Sequence, residues 1–268
     1  MTMSVLTIVR NRTGHLAKLI EGLERSTRLP TELIVVDMGS TPPVAVPETV
    51  FPIEIHRLAA ERLPLAASRN LAARHAVSDK LLFLDVDCIP MAGLIEEMSD
   101  ALAEHAALIC AEVLYLGPED ARGAWDEEEL KLGARPHPVR PFPTSGVRRE
   151  DNAGLFWSLA FGIEKSRFSA LGGFDEAFTG YGAEDTDFGF RVQASGIPLL
   201  FMGGAGAFHQ HHASEDPPLG HFDDIVRNAQ LFRDRWNFWP MEGWLRAFAD
   251  RGLIEFGPDT LTVISRPA

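Results

Sequence analysis

The chain has 268 residues, 46% of them hydrophobic and 24% charged, which is enough for a sizeable core and for one large domain or two small ones. Its formal net charge of −13 argues against general binding to nucleic acid or to an anionic membrane, since both reward a basic patch, yet leaves room for a local basic pocket around one phosphate ligand. Cys88 and Cys110 lie in apolar runs and read as buried thiols rather than a disulfide. The N-terminus has no basic region before its short apolar run, and no apolar stretch reaches the roughly 20 residues of a membrane span, so a soluble cytoplasmic protein is expected.

In chain order, "SVLTIV" reads as a buried strand, and "GHLAKLIEGLERST" places Leu16, Leu19, Ile20 and Leu23 at helical spacing. "ELIVVD" is a second strand, ending in Asp37 and the turn-like "MGSTPP"; "IEIHRL" suits a third. "PLAASRNLAARHAVS" is a helix opened by Pro64, "KLLFLDVD" a buried strand ending in acids, and "GLIEEMSDALAEH" again helical. Alternating strands and helices imply a mainly parallel sheet with helices on both faces, which binds ligands beyond the carboxyl ends of its strands. Arg10, Asp37 and Asp87 fall at such ends. Residues 117–152, rich in proline and charge, read as a surface excursion or flap with one short helix near Trp125. Strand character resumes in "GLFWSLAFGI", followed by a short helix closed by glycines. Next come the acidic helix "EDTDFGFRVQASG", a strand at "IPLLFMGG" and a mostly helical end from His221 to Arg251. The division expected is 1–216 as one α/β domain, made of a nucleotide-binding half (1–116), the excursion (117–152) and an acceptor half (153–216), with 217–268 as a helical extension.

Some clusters point to chemistry. In "LDVDCIP" an extended chain would set Asp85 and Asp87 on one face, where hard oxygen ligands suit a divalent cation that bridges a diphosphate; the plainer reading is a helix cap. "FHQHH" holds His209, His211 and His212, suited to Mn²⁺ or another first-row metal; the plainer reading is a solvated loop. If the strand runs on, His209 and His211 share a face and His212 points away. Arg10, Arg12 and Arg69 offer planar forks for phosphate near strand ends. Glu184, Asp185 and Asp187 open a helix, where carboxylates stabilise the dipole. The flexible glycines before them, Gly172, Gly173, Gly180 and Gly182, also allow a ligand to approach a carboxylate acting as general base.

In this order "VRNRTGHL", "SRNLA", "LFLDVDCIP", "GGFDEAFTGYGAEDTDFGFRV" and "FHQHH" resemble the GT-A glycosyltransferases, family 2, and within them the β-1,4-galactosyltransferase-like branch. The resemblance spans roughly Leu6 to His212. It implies a GT-A fold, a UDP-sugar donor, a hydroxyl-bearing acceptor such as a saccharide, and Mn²⁺ or Mg²⁺. It further implies that Arg10, Arg12 and Arg69 hold the nucleotide and its phosphates, that Asp37 approaches the uracil or ribose, and that Asp85 contacts the donor. Asp87 and His209 would ligate the metal, with His211 or His212 as companion. Asp185 matches the catalytic base and Glu184 its neighbour at the acceptor, while Tyr181 stands where that branch often carries a sugar-stacking tryptophan.

The expectation is an inverting, metal-dependent transferase. A non-catalytic UDP-sugar-binding protein would keep the arginines and lose the base, against the intact Glu184–Asp185 pair. A metal-dependent hydrolase or nucleotidyltransferase would want an early glycine- and lysine-rich phosphate loop, and "TIVRNRTGHL" is a poor one.

Overall fold

A computed structural model describes residues 2–213 and 215–267. The first half alternates as its apolar pattern requires: β1 (Met3–Val9), α1 (Thr13–Glu24), β2 (Glu32–Asp37), β3 (Ile53–Arg57), α2 (Leu65–His75), β4 (Lys80–Leu84), β5 (Cys88–Pro90), α3 (Leu94–Glu104) and β6 (Leu108–Tyr115). After these come α4 (Glu127–Gly133), β7 (Arg135–Pro136), β8 (Gly146–Glu150), β9 (Ala160–Glu164), α5 (Lys165–Ala170), α6 (Glu184–Ala194) and β10 (Leu199–His209). The chain closes with α7 (Phe222–Trp236), α8 (Glu242–Asp250) and the hairpin β11 (Ile254–Phe256) and β12 (Leu261–Val263).

The main sheet runs β3-β2-β1-β4-β9-β6-β10-β5, with β7 beside β6 and β8 beside β10. Strands β3, β2, β1, β4, β6 and β10 point one way and β9 and β5 the other, so the sheet is mostly parallel, as expected. Successive residues of a strand face opposite sides. Val5, Leu33 and Leu82 pack under α1 and α3, while Leu6, Ile34 and Leu81 pack with α2, α5 and α6. Both sides are covered, which is why these strands read as unbroken apolar runs. The antiparallel β9 breaks the strand–helix alternation, and neither it nor β6 carries a mark of its direction in sequence. The carboxyl ends of β1, β2, β4, β6 and β10 and the amino end of β9 meet at one edge of the sheet. Among the described residues no helix is long and apolar enough to cross a membrane.

The stretch 117–152 is more structured than a surface excursion. Asp126 caps α4 by accepting hydrogen bonds from Glu128 N (2.9 Å) and Glu129 N (3.4 Å). Trp125 and Leu130 bury themselves against Ile89, Met91 and Phe208, and Arg25 lies 3.9 Å over the Trp125 ring. Further on, β8 pairs antiparallel with β10, and a Cβ on Gly203 would sit 1.6 Å from the Pro143 carbonyl oxygen, so only glycine admits that backbone.

Helices α7 and α8 have their own core around Ile225, Leu245 and Phe248, and join the rest of the chain through Phe232 packed with Phe178, Ala183 and Phe190 as well as by polar ties. Asp187, expected to serve mainly the α6 terminus, has another task. It is wholly buried, and its Oδ1 accepts from Arg235 Nη1 (2.6 Å) and Trp236 Nε1 (2.9 Å) at the end of α7. Arg235 also pairs with Asp175. Losing a charged hydrogen bond costs about 1.5–3 kcal/mol. Asp187→Asn is therefore expected to lower the unfolding free energy by about that amount in urea titration. A loss of only a few tenths of a kcal/mol, the size of an exposed dipole effect, would return Asp187 to a simple cap.

Candidate active site

Two acidic groups meet at the carboxyl edge. Asp85 follows β4, and its N–H donates to Leu159 O (2.8 Å) just before β9. Across from it, Glu184 and Asp185 open α6. Arg69, buried on α2, lies between, donating to Asp85 Oδ1 (3.2 Å) and to Glu184 Oε1 (3.0 Å). Burial pushes the Asp85 carboxyl up to about 7, against the pull of Arg69 and with help from the Asp87 charge. Burial also raises Glu184, with the neighbouring Asp185 adding to it. With both its terminal nitrogens given to carboxylates, Arg69, expected to hold the nucleotide and its phosphates, is a strut between the two walls in this structure.

Glu184 stays in place because the preceding loop is clamped. Ala183 takes φ 71°, and a Cβ on Gly180 would lie 2.0 Å from the Asp224 carboxyl carbon. Asn228 on α7 donates to the carbonyls of Thr179 (3.1 Å), Tyr181 (3.3 Å) and Gly182 (2.8 Å). Tyr181 stacks on His221 with centroids 4.5 Å apart, and burial pushes its phenol up to about 12. One face of this ring is therefore taken. Asp185 is half-exposed and its Oδ1 accepts from Thr186 N (2.7 Å), leaving the carboxylate at the crevice.

The second group is built on Asp87. His209 Nε2 stands 3.6 Å from Asp87 Oδ1 and His212 Nε2 3.4 Å from Oδ2, and the three ligand atoms lie within 4.8 Å of one another. Arg12 also pairs with Oδ2. Burial opposes ionisation of Asp87, but the His212 contact, His209 and Arg12 overcome it and hold the carboxyl at about 2. His209 is lowered by burial, and His212 is raised by its bond to Asp87. His211, expected to share a face with His209, is exposed and away from Asp87. The strand ends at His209; Gln210 N then donates to Asp87 O (2.7 Å), and this turn brings His212 back. Asp87 Oδ1 is buried with no hydrogen-bond partner, and two imidazoles with one carboxylate suit a first-row divalent ion, so the residues present fit a metal.

The other expected nucleotide ligands stand apart in their commitments. Arg10, just after β1, is part-exposed and without an ion pair among the described residues. Asp37 is buried, and its oxygens accept from Gly39 N (3.1 Å), Ser40 N (2.7 Å), Val44 N (3.4 Å) and Arg57 Nη1 (2.9 Å). Burial resists its ionisation, yet those bonds hold its pKa low. In this structure Asp37 braces the β2 loop, which Asn11 ties to the β1 loop through Ser40 Oγ (2.9 Å) and Thr41 N (2.9 Å). An open concavity of about 530 Å³ lies elsewhere, lined by Asn70, Phe174, Arg191 and Trp236, and holds none of the expected site residues.

Acids at the carboxyl edge of a mostly parallel sheet, faced by a loop-to-helix Glu-Asp pair, define the GT-A class of glycosyltransferase folds. The chain belongs to glycosyl transferase family 2, whose family model matches residues 4–159. A second model, the N-terminal domain of galactosyltransferase, matches residues 147–213. Among curated relatives, the validoxylamine A glucosyltransferase of Streptomyces hygroscopicus subsp. limoneus is 30% identical over 241 residues, covering 74% of this chain and 49% of the relative. The pre-mycofactocin glycosyltransferase of Mycobacterium tuberculosis is 30% identical over 216 residues, covering 78% and 43%. The chain thus spans about half the length of these relatives. In fold it is similar to S. aureus TarS 1–349 in complex with UDP-GlcNAc, with TM-score 0.61 at 14% identity over 86% of this chain and 66% of that one. It is also similar to GalNAc-T7 with UDP, GalNAc and Mn²⁺, with TM-score 0.60 at 16% identity over 88% and 50%.

This geometry predicts which histidine governs a divalent ion. In Mn²⁺ titrations followed by electron paramagnetic resonance with UDP present, His212→Ala should weaken binding at least about tenfold, the lower end of what disturbing a metal site costs. His211→Ala should leave it unchanged. The reverse pattern would restore His211 as the ligand.

Proposed function

We propose that this protein is an inverting glycosyltransferase that moves a sugar from a UDP-sugar to an acceptor hydroxyl, with Asp185 as general base. One observation carries the reading: Asp185 is presented at the crevice by the first turn of α6, whose first residue, Glu184, is tied through Arg69 to Asp85 on the opposite wall. The base and the donor-side acid thereby keep a fixed spacing. Family membership, and solved structures of similar fold in complex with UDP-GlcNAc or with UDP, GalNAc and Mn²⁺, support it.

In the reaction the acceptor oxygen attacks the anomeric carbon as the bond from that carbon to the diphosphate breaks. Asp185 takes the acceptor proton, and UDP leaves with the bonding pair, so a single displacement turns an α donor bond into a β product bond. Glu184, held by Arg69, orients the acceptor. Asp87, His209 and His212 would hold a divalent cation, which supplies stabilisation of the charge growing on the departing diphosphate. Arg10 and Arg12 place positive charge on the same side of the crevice.

Asp185→Asn keeps size and most hydrogen bonding but cannot take the proton. Removing a general base costs about 10²–10⁴ in rate. UDP release with an acceptor should fall by that factor while calorimetry still shows UDP and Mn²⁺ binding. Turnover at the wild-type rate would place the base elsewhere.

A further inference from the structure

A buried guanidinium without a counter-ion stands beside the crevice. Arg140 follows β7, in the stretch whose role the sequence leaves open. It is 3% exposed. Its Cζ lies 4.8 Å from the Trp157 ring centroid, 5.2 Å from Phe201 and 5.3 Å from Phe142. Its Nε has no hydrogen-bond partner, its side chain reaches the Cys110 thiol, and it makes no ion pair with a carboxylate among the described residues. The contrast with Arg69 is direct, since that equally buried arginine uses two carboxylates. A desolvated charge that stays unpaired is strongly unfavourable. The aromatic faces offset part of that cost, and they leave the fork itself uncompensated.

The position of Arg140 says what would complete it. The Tyr115 ring stacks 5.0 Å from His209 of the Asp87 group and lies 5.6 Å from His137, which is 4.7 Å from Trp157. A continuous aromatic wall therefore runs from the metal-type trio to Arg140. Cys110 lies within the electrostatic reach of both Arg140 and Asp185, and Cys88 and Tyr115 within that of Arg140, Asp85 and Asp87. Arg140 is thus flanked by both acid groups, with the Tyr115, His137 and Trp157 rings between it and His209, and on the proposed reading the span between the Asp87 trio and Asp185 is where the sugar of a donor would lie. A planar fork between apolar faces accepts a carboxylate bidentately.

We propose that Arg140 anchors an oxyanion subsite for the donor, taking a carboxylate on the transferred sugar. The same fork would also suit a diphosphate oxygen, and the test separates these sources. The proposal rests on the reading of the protein as a UDP-sugar enzyme. A donor of this kind would carry its negative charge on the sugar ring as well as on the phosphates, and a neutral hexose would leave Arg140 unpaired.

The test is calorimetry with Mn²⁺ on wild type, Arg140→Met and Arg140→Lys, using uridine 5′-monophosphate, UDP, UDP-glucose and UDP-glucuronate. Wild type should bind UDP-glucuronate about tenfold or more tighter than UDP-glucose, the scale of one charged hydrogen-bonded contact. Arg140→Met should erase that preference and leave UDP unchanged, and Arg140→Lys should retain part of it. If Arg140→Met weakens UDP and both UDP-sugars alike while sparing the monophosphate, the subsite stands and its anion is the diphosphate. Equal affinities of wild type and Arg140→Met for all four ligands overturn the subsite. A wild type that binds none of them overturns the function proposed above instead. Thermal melts of the free proteins separate a structural cation from a binding one. Removing an uncompensated charge should leave Arg140→Met melting at or above the wild-type temperature, and a lower melting temperature with unaltered ligand preference would assign Arg140 to packing alone.

Discussion

The ion pairs of Arg69 set the geometry on which the crevice depends. Asp85 and Glu184 lie far apart in the chain and come from different walls, one at the end of a parallel strand and the other at the start of α6. Brought together in a desolvated cleft, with Asp87 and Asp185 beside them, the acids would repel one another and take up protons. One guanidinium, reaching them with two separate nitrogens, makes the arrangement tolerable. Burial first, and the neighbouring carboxylates after it, still push Asp85 and Glu184 up. Arg69 is thus a positioning residue that couples the end of β4 to the start of α6.

The C-terminal helices complete the same task from behind. Asn228 holds the loop carbonyls before α6, and Arg235 and Trp236 hold Asp187 three residues into it. Phe188 and Val192 then bury the inner face of the helix against the sheet. With its loop, its first turn and its apolar face each fixed by a different element, α6 offers Asp185 to the crevice with little freedom to move away. Residues 217–268 therefore help to set the position of α6.

Much of this was legible in the sequence because parallel sheets obey strong local rules. Apolar runs bounded by turns mark β1, β2 and β4, and such sheets gather polar residues at one edge, so the sequence alone puts Asp85, Asp87 and His209 at the same edge. What escaped depends on long-range pairing or on where a strand stops. The choice between His211 and His212 stayed open in sequence because it depends on where β10 ends: it stops at His209, and the turn that follows brings His212 beside Asp87. The carboxylate partners of Arg69 and the loop amides held by Asp37 were hidden because sequence shows a charge but not what it meets. The fold of 117–152 was hidden because β7 and β8 are short edge strands whose pairing comes from β6 and β10. Nothing in "HPVRPFP" signals that Arg140 is buried.

The coupling through Arg69 is open to direct measurement by a double-mutant cycle on the free energy of unfolding, using wild type, Arg69→Met, Glu184→Gln and the double variant at neutral pH. Arg69→Met alone should cost about 3–5 kcal/mol, as expected when one partner of a buried ion pair is removed. The double variant should be more stable than the sum of the single losses predicts by about 1.5 kcal/mol or more, because neutralising Glu184 relieves the charge that Arg69 had balanced. Strictly additive losses would contradict the account, since Arg69 and Glu184 would then contribute independently and the two walls of the crevice would not be joined through them.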